Sequence, residues 1–202
     1  MSAALERLRR HPGIWHRRTP PVDTLSTGFA ALDAVLPDGG WPMHALTEIV
    51  TPREGGGGLR LALPALATLA ARGRWLAWVG PPRVPYAPAL VASGVLLERL
   101  LWVRSASPIE RLWGAEQALR SGVCGAVLVW PSRLQPRGLR RLQLAAEDGR
   151  AWALVFRGEA PPGEATPASL RLRVAPAARG LAVEVQKCRG RPGARVGIAL
   201  DD

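Results

Sequence analysis

The chain has 202 residues, of which 48% are hydrophobic and 21% charged, a balance typical of a globular protein. Its 27 basic residues outnumber 16 acidic ones, giving a net charge of +11, and all of the basic residues except Lys187 are arginines. The sequence contains neither an apolar run of membrane-spanning length nor the apolar core of a secretion signal, and its two cysteines form no zinc or disulfide pattern. These features exclude a membrane protein and predict a cytoplasmic one.

Residues 1–24 are predicted to form an N-terminal arm, with a short basic helix over 2–10 and an extended, proline-containing stretch after it. Residues 25–200 are predicted to form a single domain, because strand and helix patterns then alternate. The predicted strands are 47–50, 74–80, 100–105, 124–130 and 151–156, and the predicted helices are 59–72, 88–93, 108–122 and 136–149. Pro64 is placed near the first turn of its helix, where proline is tolerated. This alternation predicts an α/β fold with a mainly parallel sheet and helices on both faces.

The last third of the chain changes character. Residues 158–169 are rich in proline and glycine and are predicted to form a loop. Residues 170–174, 181–187 and 195–200 alternate between apolar and polar side chains, which is typical of half-exposed antiparallel strands. We expect these strands to extend the parallel sheet rather than to form a second domain.

A glycine-rich segment joins the first predicted strand to the first long helix, which is the layout of a phosphate-binding P-loop. A working P-loop needs a lysine and a hydroxyl residue after its last glycine. In one register these two positions hold Gly57 and Gly58, and in the other they hold Gly58 and Leu59, while Arg60 lies too far into the helix. The sequence therefore predicts a degenerate loop that uses no cofactor, although its amides remain able to bind an anion loosely. This loop comprises Thr51, Gly55, Gly56, Gly57 and Gly58.

The segment before this loop resembles RecA-type ATPases, in which T-G-x-x-x-L-D precedes G-G-x-P-x-G-x-x-x-E-I. His44 stands where that family has glycine. Three further segments, GRWLAWVGPPRVPYAPAL, LWGAEQALRSGVCGAVLVW and LRRLQLAAE, are similar to the ImuA proteins, SulA-like relatives of RecA from bacterial translesion-synthesis cassettes. The resemblance covers residues 25–200 and implies a RecA-like P-loop NTPase core. The matching lead-in positions are Thr27, Gly28, Leu32, Asp33, Gly39, Gly40, Pro42 and Glu48.

The same resemblance implies that the ATPase residues have been lost. The glutamate that activates water in RecA falls near Pro82, and the Walker B aspartate falls at Trp130 or Pro131. None of these side chains ligates Mg²⁺ or accepts a proton. We therefore expect a RecA-like fold that is not an enzyme.

By resemblance to ImuA, the chain is expected to be a non-catalytic adaptor of the SOS response and of damage-induced mutagenesis. In that role it would bind ImuB, work with an error-prone DnaE-type polymerase and contact RecA. Two other functions remain open at this point. One is a SulA-type inhibitor that binds the cell-division protein FtsZ, and the other is a weakly DNA-binding relative of RecA.

Candidate contact residues follow from these functions. In RecA the segment before the core docks on the neighbouring subunit, so apolar residues of the arm, together with Trp41, are candidates for partner binding or self-association. The loop at 131–138 and the basic tail segment 187–195 are candidates for nucleic-acid contact, although a solvated surface is the default interpretation of the tail and the codon usage of a GC-rich genome also accounts for the excess of arginine. The partner candidates are Leu5, Leu8, Ile14, Trp15 and Trp41; the nucleic-acid candidates are Arg133, Arg137, Lys187, Arg189, Arg191 and Arg195.

Overall fold

The computed structural model describes residues 23–52, 56–105, 107–131, 135–159, 164–190 and 192–200. The strands are β1 (Thr24–Leu25), β2 (Trp41–Pro42), β3 (Leu46–Val50), β4 (Trp75–Val79), β5 (Leu100–Val103), β6 (Cys124–Val129), β7 (Trp152–Arg157), β8 (Leu170–Ala177), β9 (Gly180–Lys187) and β10 (Arg195–Ile198). The α-helices are α1 (Ala30–Asp33), α2 (Gly58–Ala71), α3 (Ala87–Ala92), α4 (Pro108–Arg120) and α5 (Pro136–Asp148), and a 3-10 turn spans Leu97–Arg99. Among these helices, none is long and apolar enough to cross a membrane.

Eight of the strands form one sheet, in the order β10-β9-β8-β3-β7-β6-β4-β5. The strands from β8 to β5 in this order are parallel, whereas β9 and β10 run antiparallel to their neighbours. The predicted mixed α/β fold, with a largely parallel sheet and antiparallel C-terminal strands, is confirmed. The two edges of the described sheet are β10 and β5.

Two apolar layers hold the helices on the sheet. On one face, α2 packs through Leu61 and Leu66 over strand residues such as Leu128. On the other face, α4 and α5 pack over residues such as Val127. The central strands β3 and β6 are buried along their whole length. β6 is accordingly apolar throughout, whereas β3 also buries Thr47 and Glu48.

The lead-in segment is built around a carboxylate that caps a turn. Asp33 accepts hydrogen bonds from the Thr27 amide at 2.9 Å and from the Ser26 hydroxyl at 2.7 Å. Leu32 is fully buried beside it. His44 has a φ of 55°, a left-handed conformation that glycine adopts most easily. The T-G-x-x-x-L-D pattern therefore has a structural role of its own in this chain, independent of any nucleotide.

Pro64 lies inside α2, not in its first turn as predicted. A proline at this position removes one helical hydrogen bond. Its ring packs against Gly28, where an added Cβ would lie 2.5 Å from the Pro64 Cβ. The contact joins the lead-in segment to α2.

Trp41 is wrongly predicted as an interface residue, because its side chain is fully buried. It packs on Trp152 with ring centroids 5.0 Å apart. The Trp152 indole N–H in turn donates to the Thr47 hydroxyl at 3.0 Å. Trp41 therefore belongs to the core beneath β3 and β7.

Candidate protein-interaction site

The glycine-rich loop packs against the antiparallel extension of the sheet. Gly57 has a φ of 81°, and a Cβ added there would lie 2.3 Å from Cδ2 of Leu181, a buried residue of β9. A Cβ added at Gly58 would lie 2.6 Å from the Ile49 side chain. Both glycines therefore allow a close apolar approach. Thr51, by contrast, is fixed by its backbone, since its amide donates to the Arg157 carbonyl at 2.9 Å.

The position matched to the Walker B aspartate is part of an aromatic stack. Trp130 lies parallel to Phe156, with ring centroids 4.7 Å apart, and contacts Trp78 at 5.7 Å. Pro82, at the position matched to the catalytic glutamate, is exposed. Neither residue has a side chain able to bind a metal ion or to accept a proton.

The described basic residues predicted to contact nucleic acid lie on different elements of the fold. Arg137 is exposed in the first turn of α5, whereas Lys187 lies at the end of β9 and donates to the Thr166 carbonyl. Arg195 is paired with Glu184 at 2.8 Å, and Arg189 is exposed after β9. Arg133 and Arg191 lie outside the described residues, as do Gly55 of the glycine-rich loop and the arm residues Leu5, Leu8, Ile14 and Trp15.

A buried ion network lies between β3, β7 and β8. Glu48 is fully buried; its Oε1 accepts from Arg157 Nη1 at 3.1 Å, and its Oε2 accepts from Arg171 Nε at 2.8 Å. Glu164, in the loop after β7, is bonded to the same two guanidinium groups. Burial by itself raises the pKa of Glu48, but hydrogen bonds from Arg171, Thr166 and Arg157 outweigh it, so the pKa lies below its ordinary value. Because Glu164 belongs to the loop after β7, its ion pairs with Arg157 and Arg171 hold that loop on the sheet.

Exposed apolar side chains mark a different region. The described residues include twelve exposed large hydrophobic side chains, and all of them lie between Trp75 and Leu144. Eight belong to β4, β5 and the connection between them, and we call these eight the edge surface. The edge surface consists of Trp75, Val84, Tyr86, Val91, Leu96, Leu97, Leu101 and Trp102. A concentration of this kind is typical of a protein-interaction site.

The edge surface is present because β5 is the last described strand of the sheet on that side. Trp102 lies opposite Trp78 of β4, and its side chain is therefore on the α2 face. Leu101 lies opposite Ala77, and its side chain is on the α4 face. Both side chains remain exposed, Trp102 by 39% and Leu101 by 48%.

Arginines accompany these apolar residues. The Arg99 guanidinium lies 5.5 Å from the ring centroid of Trp75, and the Arg104 guanidinium lies 5.5 Å from that of Trp102. Such cation–π contacts hold the guanidinium groups beside the exposed rings. The site thus combines apolar area with positive charge. It is suited to binding another macromolecule.

Sequence reasoning missed this site, although it correctly predicted β5 as a strand. A strand with the composition of residues 100–105 can be central or at the edge of a sheet. Only the strand order therefore reveals that its side chains are exposed. One signal was available in residues 81–88, where Val84 and Tyr86 stand among four prolines. Apolar residues in such a proline-rich loop have little chance of entering a core.

Comparison with known proteins gives consistent matches. The model of the family described as "Cell division inhibitor SulA" matches residues 45–153. Cell division inhibitor SulA from Pectobacterium carotovorum is 32% identical over 106 residues, which cover 52% of this chain and 63% of that protein. SulA from Photorhabdus laumondii is 34% identical over 98 residues, which cover 48% of this chain and 55% of that protein. The matched segments thus span less than two thirds of these relatives.

The crystal structure of SulA from Pseudomonas aeruginosa is similar at a TM-score of 0.48 and 27% identity, covering 56% of this chain and 98% of that one. The description of the family is that of an inhibitor, in agreement with the expectation of a protein that is not an enzyme.

These matches correct the leading functional prediction. The expected role as an ImuA-type adaptor in translesion synthesis and SOS mutagenesis is wrong, and so are the expected partners ImuB, RecA and a DnaE-type polymerase, because the matched relatives are cell division inhibitors. The family match covers more than half of the chain and includes the whole edge surface. The chain belongs to the SulA family.

Proposed function

We propose that this protein inhibits bacterial cell division by binding FtsZ through the edge surface. The observation that carries the proposal is the overlap between the family match and the exposed apolar side chains. All twelve such side chains lie within residues 45–153, the segment shared with the family. The basic tail that starts at Lys187 lies outside that segment.

The edge surface supports this role by its composition. Aromatic and arginine side chains supply most of the binding energy in protein interfaces, and the edge surface contains Trp75, Trp102 and Tyr86 with arginines beside them. Burying these rings against a partner removes apolar area from water and needs no chemical step. Inhibition then follows from occupation of the FtsZ surface.

We also propose that the domain, residues 25–200, is a RecA-like core whose nucleotide site has been filled. The contact between Leu181 and Gly57 supports this origin, since it places an isobutyl group against the loop that holds phosphate in P-loop proteins. An inhibitor of this kind acts without ATP. The arm, residues 1–24, stays a candidate for partner binding or self-association.

The proposal predicts that expression of the full chain in a rod-shaped bacterium blocks septation, so that cells elongate into filaments. A double variant, Tyr86→Ala with Trp102→Ala, should restore division. Loss of two aromatic contacts from an interface typically costs about 2–4 kcal/mol of binding, or about 30-fold or more in Kd. Cell length and the localisation of fluorescent FtsZ provide the readout.

The matched control is Leu144→Ala on α5. Leu144 is 38% exposed, close to the value for Trp102, but it lies outside the edge surface. This variant should filament cells as the parent does. Normal division in cells that accumulate the folded parent chain contradicts the proposed function, and filamentation by the double variant contradicts the assignment of the surface.

A further inference from the structure

Strand β5 has a backbone edge that no other strand of the described residues pairs. Its described neighbour is β4, paired in parallel with Trp78 opposite Trp102 and Val79 opposite Val103. The Val103 carbonyl accepts from the Gly80 amide at 3.0 Å, which shows that the polar groups of Val103 point toward β4. Because these groups alternate in direction along a strand, the N–H and C=O of Trp102 point away from the sheet.

The backbone groups of Leu100 set the length of the open edge. They also point away from β4, and the Leu100 amide donates to the Leu97 carbonyl of the preceding turn. This leaves the Leu100 carbonyl and both polar groups of Trp102 directed at the edge. An open edge of this kind is a template for another strand.

Each face of the sheet carries an aromatic ring with an arginine on it near β5. The ring of Trp102, with Arg104, lies on the α2 face of β5, whereas the ring of Trp75, with Arg99, belongs to β4, where alternation from Ala77 places it on the α4 face. A strand added to β5 would place its side chains alternately on these two faces. Both pairs offer apolar contact together with a positive charge.

Charge identifies the kind of segment that fits. Residues 72–105 contain five arginines and one acidic residue, Glu98. A second copy of this chain would bring the same positive charge to the contact, which is unfavourable. An acidic segment with apolar residues between its carboxylates would be complementary on both faces.

We propose that β5 binds an extended acidic segment of its partner, which adds to the sheet as a ninth strand. The identity of that partner as FtsZ rests on the proposed function, whereas the strand addition rests on the open edge and its arginines. Main-chain hydrogen bonds to Leu100 and Trp102 supply the register, and the carboxylates meet Arg99 and Arg104.

The test uses the full chain and peptides of about eight residues, a usual strand length, in which two valines alternate with two glutamates or with two lysines, so that each face of the added strand carries both charge and apolar area. Hydrogen exchange of individual amides is measured by NMR. The glutamate peptide should bind at least about tenfold more tightly than the lysine peptide and should slow exchange of the Trp102 amide. The Leu101 amide points toward β4 and serves as the internal reference. Reversing both charges, with Arg99→Glu and Arg104→Glu, should reverse the peptide preference.

The same amide is then followed in the presence of FtsZ, which separates the two proposals. If FtsZ binds without slowing exchange at Trp102, strand addition is wrong and the proposed function stands. If FtsZ does not bind but the glutamate peptide protects Trp102, strand addition stands and the identity of the partner is wrong. Peptide binding that leaves Trp102 unprotected, or protection that increases with the concentration of the chain alone, overturns the proposal; the latter result assigns the edge to a second copy.

Discussion

Replacing Glu48 with glutamine is expected to lower the free energy of unfolding by about 3–5 kcal/mol, the usual cost of removing one partner from a buried ion network. Glu48 is fully buried and bonded to Arg157 and Arg171, whose side chains are only 15% and 7% exposed. The neutral amide would leave these two positive groups with Glu164 alone. Urea unfolding followed by circular dichroism measures the change.

Glu159→Gln is the matched control for this prediction. Glu159 is also paired with an arginine, Arg173, at 2.6 Å, but its side chain is 55% exposed. Removing an exposed pair should cost less than about 1 kcal/mol. Equal losses in the two variants would show that the buried network does not stabilise the fold.

The pH dependence of the Glu48 variant follows from the lowered pKa of Glu48. Burial raises the pKa, but the hydrogen bonds from Arg171, Thr166 and Arg157 lower it further, to below the ordinary value of 4.5. A carboxyl group with a lowered pKa contributes its full stability above the unfolded pKa and loses it as the pH falls through the folded value. The difference in stability between parent and Glu48→Gln should therefore be constant near neutral pH and shrink below about pH 4.

The second large effect is expected from Gly57→Ala, which should destabilise the chain by about 2–5 kcal/mol. An L-residue in the left-handed region costs about 1–2 kcal/mol, and overpacking a core costs about 1–3 kcal/mol more. Both terms apply at Gly57, where φ is 81° and the new Cβ would lie 2.3 Å from Leu181. Thermal and urea unfolding of the purified variant measure the loss.

The Gly39→Ala variant separates the backbone cost of a left-handed φ from the packing cost of the added Cβ. Gly39 has a φ of 74°, but nothing lies within 4 Å of an added Cβ, so this variant should show the backbone cost alone. In a Leu181→Ala background, Gly57→Ala should cost no more than Gly39→Ala does. A cost at Gly57 that is unaffected by Leu181→Ala would contradict the contact between loop and β9.

The main elements of the fold were predictable because each has a local signal. The helix predicted over 108–122 is observed as Pro108–Arg120, where Ser107 caps the first turn by accepting from the Ile109 amide. Apolar runs bounded by glycine or proline similarly located β4, β6 and β7. The short elements β1, β2 and α1 were missed because hydrogen bonds around Asp33, and not a periodic pattern, stabilise that segment.

The candidate site was less predictable because it depends on strand order. Leu101 and Trp102 have the composition of a buried strand and are exposed because no described strand follows β5. Trp41 presents the opposite case, since it lies in a segment without a clear pattern and is buried against Trp152. The glycines near residue 57 resembled a phosphate loop because the same small residues permit either a phosphate or an apolar side chain to approach.

Binding of the purified full chain to purified FtsZ tests the central claim most directly. The measurement should be made at about 300 mM salt, where the Debye length is below about 8 Å and non-specific binding by arginine is screened. We predict a complex that persists at this salt concentration, that forms equally with Leu144→Ala and that is lost when Tyr86 and Trp102 are both replaced by alanine. Absence of a complex between FtsZ and the folded parent chain would contradict the proposed function.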